Sequence, residues 1–176
     1  MKKIIYRCRQ VWRAVSATIT ADEAAWVQQW LQDKEYQVWQ EMALADRRHT
    51  CDVAKLCYDH SRHLSAPEQT LLLRAALLHD LGKRRARLRL WHRILYVLLK
   101  AAGRPLDRPT APSLAVSPLA VIVHHAHLGA REATQKNWDD ELVFLIRHHH
   151  SPPLLISGRR HPWHLLQLLQ DADNRC

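Results

Sequence analysis

The stretch Leu71-Leu72-Leu73-Arg74-Ala75-Ala76-Leu77-Leu78-His79-Asp80-Leu81 constrains this chain more than any other. It is apolar nearly all round, so a helix built from it has no face to offer to water and must be buried. Ser65-Ala66-Pro67-Glu68, just before it, is a capping box with Pro67 in the first turn, where a missing N–H does no harm. Gly82 is expected to end the helix. A buried helix ending in His79-Asp80 is unusual, because an imidazole and a carboxylate taken out of water need partners. Adjacent helical residues project about 100° apart, so these two side chains straddle one point in space. A divalent metal at that point satisfies both, and the nitrogen–oxygen donor pair suits Fe, Mn or Zn better than Ca. For an isolated dipeptide, a plain hydrogen-bonded His–Asp pair is the alternative.

Similar residues recur on other expected helices, which favours the metal. His49 lies at the start of a helix from about Asp46 to His60 that has Val53, Leu56 and Cys57 at helical spacing. Ser117-Pro118 opens another, which carries His124, His125 and His127. Asn137 to Asp140 caps a helix over 141–149, ending in His148, His149 and His150. A last short helix, Pro162 to Asp173, carries Asp171 and Asp173. A four- or five-helix bundle that aims these residues inward holds a metal in its core. No run alternates at the two-residue period of a strand, and glycines are few, so the fold class is all-α.

Other segments frame this bundle. Thr20 to Glu23 is a second capping box, and the helix it starts should line up Trp26, Trp30 and Tyr36 as a packing stripe. Residues 84–102 read as a basic amphipathic helix, with Trp91, Ile94, Leu95 and Leu98 on one side and Arg84, Arg85, Arg87, Arg89 and Arg93 at its start. Pro105, Pro109 and Pro112 make 104–117 a loop or lid, and 151–160 is a turn-rich connection. Residues 1–44 therefore form an N-terminal helical extension to a domain over 45–176, with 84–117 inserted in it.

Lys and Arg exceed Asp and Glu to give a net charge of +9. Such a surface attracts phosphorylated small molecules, nucleic acid or an acidic membrane. Cys8, Cys51, Cys57 and Cys176 form no metal-binding or redox pair and read as reduced thiols. The basic start lacks the apolar stretch of a secretory signal, and no segment reads as a membrane span. The expected location is the cytoplasm; oligomeric state is not legible.

The ordered series H…HD…H…H…D resembles the HD superfamily of metal-dependent phosphohydrolases. Arg48-His49-Thr50-x-x-Val53-Ala54 resembles the family's opening helix, and Leu77-Leu78-His79-Asp80-Leu81-Gly82-Lys83 is close to its consensus signature. His125-x-x-x-Gly129-Ala130 and Leu145-Ile146-Arg147-His148-His149 are similar to two elements of a branch with extra histidines. Leu169-Gln170-Asp171-Ala172-Asp173 resembles the closing element, with Asp173 ahead of Asp171. The resemblance implies that His49, His79, Asp80 and Asp173 hold one divalent ion, and that Asp80, His125 and His149 hold a second. The metal would be Fe, Mn or Zn, with Mg a further candidate. It also implies metal-activated water as nucleophile, with Asp80 at the centre of catalysis. Lys83 would meet phosphate oxygens, and Arg147 is a weaker candidate for the same task. A one-residue slip exchanges His125 with His124, or His149 with His148; His60, His63, His92, His161 and His164 fall outside the series.

The branch includes hydrolases of dinucleoside polyphosphates, so a phosphoester or phosphoanhydride of a nucleotide-like small molecule is the leading substrate. A nuclease acting on RNA or DNA ends is the second reading, with Arg84 to Arg93 tracking the backbone. A non-catalytic basic module that docks residues 84–102 on a membrane surface or partner is the third.

Overall fold

The computed structural model describes residues 17–86, 92, 118–152 and 162–176. Among the described residues the chain is all helical: α1 (Ala21–Trp30), α2 (Asp33–Gln40), α3 (Leu44–His60), α4 (Ala66–Leu78), a 3-10 helix (Leu81–Arg85), α5 (Pro118–Gln135), α6 (Asp140–His148) and α7 (Trp163–Arg175). The expected lead-in over 1–16 with Cys8, the loop 104–117, and the connection from 153 to His161 lie outside them.

α4 is the axis of the bundle. Leu72, Leu73, Ala75, Ala76, Leu77 and Leu78 have no exposed surface, and α3, α6 and α7 pack round them. Val27, Leu31, Val38, Trp39 and Met42 from the N-terminal segment belong to the same core. The Ser65 N–H donates to Glu68 and fixes the start of α4. Its end differs from expectation. The helix stops at Leu78 rather than running to Leu81. The His79 ring N–H donates to the Ala76 carbonyl, 2.9 Å away, which the Asp80 N–H would use in a continuing helix. Asp80 takes φ −93° and ψ 3°, and the chain tightens into 3-10 bonds such as Lys83 N–H to the Asp80 carbonyl.

Two further elements depart from the sequence pattern. The helix expected after Thr20 is two helices, broken at Leu31–Gln32, so Tyr36 is not on one stripe with Trp26 and Trp30. Those two tryptophans pack edge-on with each other, Trp26 edge-on and Trp30 tilted against Tyr58 of α3, while Tyr36 stacks on Trp39. The break follows from Glu35. Its carboxylate accepts the Gln32 N–H at the start of α2 and is fully buried against the Arg74 guanidinium, 2.5 Å away. Nor does a helix begin at Arg84, because the 3-10 helix continues through Arg85 and Ala86 is extended. Of the remaining basic segment only His92 is described, and it is buried. At the start of α6 the Asp139 carboxylate pairs with Arg74 instead of capping the helix.

Candidate metal centre

Three rings at the centre are aimed by their own helices. His79, His125 and His149 each place Nδ1 against the carbonyl three residues earlier, that of Ala76, Ile122 and Ile146, at 2.9, 2.6 and 2.7 Å. A carbonyl only accepts, so Nδ1 carries the proton in all three. The lone pair of each neutral ring is thereby on Nε2, the arrangement that second-neighbour carbonyls impose on metal-binding histidines.

These Nε2 atoms converge on Asp80, whose side chain is 1% exposed. His125 Nε2 lies 3.2 Å and His149 Nε2 4.0 Å from its Oδ1; His79 Nε2 lies 3.6 Å and His49 Nε2 3.9 Å from its Oδ2. Asp173, on the last turns of α7, closes the other side. Its Oδ1 accepts the His49 Nε2–H at 2.9 Å and stands 3.6 Å from His79 Nε2. Helices α3, α4, α5, α6 and α7 thus bring His49, His79, Asp80, His125, His149 and Asp173 together. Lys83, one 3-10 turn after Asp80, donates to Asp80 Oδ2 at 2.5 Å.

The alternatives in the sequence are placed apart. His148 turns to Ser151 and Phe144, His127 and Asp171 are exposed, and His124 is half-buried. Arg147 is exposed on α6 and makes none of the cluster's contacts among the described residues. One residue that the sequence pattern did not single out joins the group. His150 has its ring centroid 4.1 Å from that of His149 and 5.0 Å from that of His125, with Nδ1 3.7 Å from Asp173 Oδ2. It follows the C-terminus of α6, where helical spacing no longer says which way a side chain points; the run of three histidines was the only signal.

The electrostatics call for a cation. Burial alone would raise the Asp80 carboxyl, but Lys83, His79 and His125 hold it well below the usual carboxylate range. Asp173 is depressed likewise, His49 and His79 outweighing its burial. His79 sits between these carboxylates, and although burial opposes the charged ring they lift its affinity for a proton. His149 is pushed well down by burial and by the rings of His79, His150 and His125. Two buried atoms at the middle, His79 Nε2 and Asp80 Oδ1, have no hydrogen bond, a state that costs about 1–3 kcal/mol per group if uncompensated. His125 Nε2 and His149 Nε2 face each other at 3.2 Å, and with Nδ1 protonated in both, the pair needs a shared proton or another cation between them. The ligand atoms of His49, His79 and Asp80 lie within 4.8 Å of one another, as do those of His125, His149 and His150. Imidazole with carboxylate is the donor set of Fe, Mn and Zn, so the residues present fit the ion that the sequence pattern implies.

A helical bundle with a buried carboxylate–imidazole centre defines the class. The family model of the HD domain matches residues 47–175, and the chain belongs to the HD-domain family, a superfamily of metal-dependent phosphohydrolases. Neither the curated proteins nor the solved structures give a significant match. Among the described residues no helix is long and apolar enough to cross a membrane.

Proposed function

We propose that the protein is a metal-dependent phosphohydrolase that cleaves a phosphoester or phosphoanhydride bond in a nucleotide-like small molecule. The observation that carries this reading is the convergence of the His79, His125 and His149 Nε2 lone pairs on Asp80, with each Nδ1–H already committed. Family membership supplies the reaction class, and the surplus of cationic side chains favours a phosphorylated substrate.

In this reading His49, His79, Asp80 and Asp173 hold one divalent ion, and Asp80, His125 and His149 a second. When bound, such ions (Fe, Mn or Zn, with Mg a further candidate) polarise a phosphoryl oxygen and make water nucleophilic near neutral pH. Asp80 lies between the two ligand groups and orients both. To serve as a ligand through Nε2, His49 would have to release the proton it shares with Asp173. The Lys83 ammonium stands beside Asp80, where it neutralises phosphate oxygens as charge builds on them. Arg147 is left an outer contact to a longer substrate. No side-chain nucleophile takes part; burial pushes the Cys51 and Cys57 thiols up to about 11 and about 12. We place this chemistry on residues 45–176, with 1–44 as an N-terminal extension, and the protein in the cytoplasm, which suits the free thiols of Cys51, Cys57 and Cys176.

Elemental analysis of protein purified without chelator is the first test. Bound Fe, Mn or Zn, together with release of phosphate or a nucleotide in a screen of phosphorylated compounds, is the expected result. Protein that stays metal-free after reconstitution overturns the proposal.

A further inference from the structure

We infer that Glu132 is a positioning residue for the metal centre: clamped through Arg84, it sets where α5 stands along the 3-10 helix, and so the spacing of His125 from Asp80. This rests on the reading of the centre given above. His125, Gly129 and Glu132 are spaced four and three residues apart, so they share one face of α5. The 3-10 helix lies along that face in matching order. Asp80 meets His125, Gly82 meets the backbone of His125 and Gly129, and Arg84 meets Glu132.

The middle contact is backbone on backbone. A Cβ on Gly82 would stand 2.1 Å from the His125 carbonyl oxygen and 2.7 Å from the Gly129 nitrogen. Helices normally resist sliding because side-chain ridges interlock, and two facing glycines offer none. Among the described elements α5 packs most extensively on the 3-10 helix and on α6. Along the 3-10 helix itself, the directional hold lies at the far end of the contact. There Glu132, only 5% exposed, takes the Arg84 guanidinium, with Arg85 3.7 Å from its second oxygen. Arg84 also reaches Glu41, just after α2, on the exposed side of the pair. A buried carboxylate about two helical turns from the metal centre thus holds the register on which His125 depends.

The test is a Mn2+ titration of the full chain, with the melting temperature followed in parallel. Glu132→Leu keeps the bulk and removes both acceptors. It is expected to weaken the uptake step that depends on His125 by about 10–100-fold, the usual cost of losing a group that orients a ligand, and to leave the His49–His79–Asp173 step unchanged. Glu132→Gln, which keeps one acceptor for Arg84, should fall between, and it decides the matter if the leucine variant does not fold. Glu41→Ala removes only the exposed arm and should move neither step. A lower melting temperature with both steps at wild-type affinity would mean that Glu132 merely packs, and the inference fails while the centre stands. A wild-type chain that takes up no Mn2+ overturns the reading of the centre itself.

Discussion

The centre has two halves built on opposite principles. In the half formed by α3, α4 and α7, imidazole and carboxylate alternate: His49 on Asp173, His79 between Asp173 and Asp80. That half supplies its own counter-charges, and His79 holds a proton more tightly than a free histidine. In the half formed by α5 and α6, three imidazoles crowd together with Asp80 Oδ1 near two of them. There His149 is pushed well below its ordinary range and His150 to about 4, by burial first and by neighbouring rings next. One half balances its buried charge with a proton on His79, whereas the other favours neutral rings. In a buried site, then, the mix of ligand types sets how each part balances its charge.

The largest expected effect is that of Asp80→Ala, which removes the one residue both halves share. Metal content and phosphohydrolase activity should both fall to background in elemental analysis and turnover assays. A variant that keeps one ion at full affinity would show that the halves do not depend on a common carboxylate.

His149→Ala separates the halves. Mn2+ titration should lose the α5–α6 step and retain the other, while His49→Ala should weaken the retained step instead. Loss of both steps in His149→Ala would break the comparison, because the two groups would then be one site.

The smallest effect concerns how the α3 half is anchored. Glu23 accepts from Arg48, the residue before His49, and from Lys55. Burial opposes the charged form, but Lys55 and Arg48 bring the carboxyl from 4.5 down to about 2. A carboxyl with a depressed folded pKa stabilises fully above its unfolded value and loses that contribution as pH falls toward the folded value. Glu23 should therefore add stability above pH 4.5 that disappears by about pH 2. Urea unfolding of Glu23→Gln should show a loss of less than about 1 kcal/mol at neutral pH, as for a solvent-screened pair, and none at pH 2. A pH-independent difference would assign the effect to packing.

Much of this was legible from local pattern. The apolar run ending in His79-Asp80 located the axis of the fold, and Thr20–Glu23 and Ser65–Glu68 marked two helix starts, because capping is a matter of neighbours in the chain. What was missed depends on distance. Gln32 is not a usual cap, and the break before α2 makes sense only once Glu35 is seen against Arg74, thirty-nine residues away. The end of α4 falls where Asp80 leaves helical angles, and His150 is placed by a chain direction beyond a helix end. Neither leaves a periodic trace.

The bonds from Nδ1 to Ala76, Ile122 and Ile146 carry a consequence for how the protein handles depletion and supply. These three ring orientations are inherited from their helices, so they do not depend on a bound ion. Removal of metal by a chelator should therefore be reversible within the folded state, with reloading limited by entry of the ion and not by rebuilding of the site.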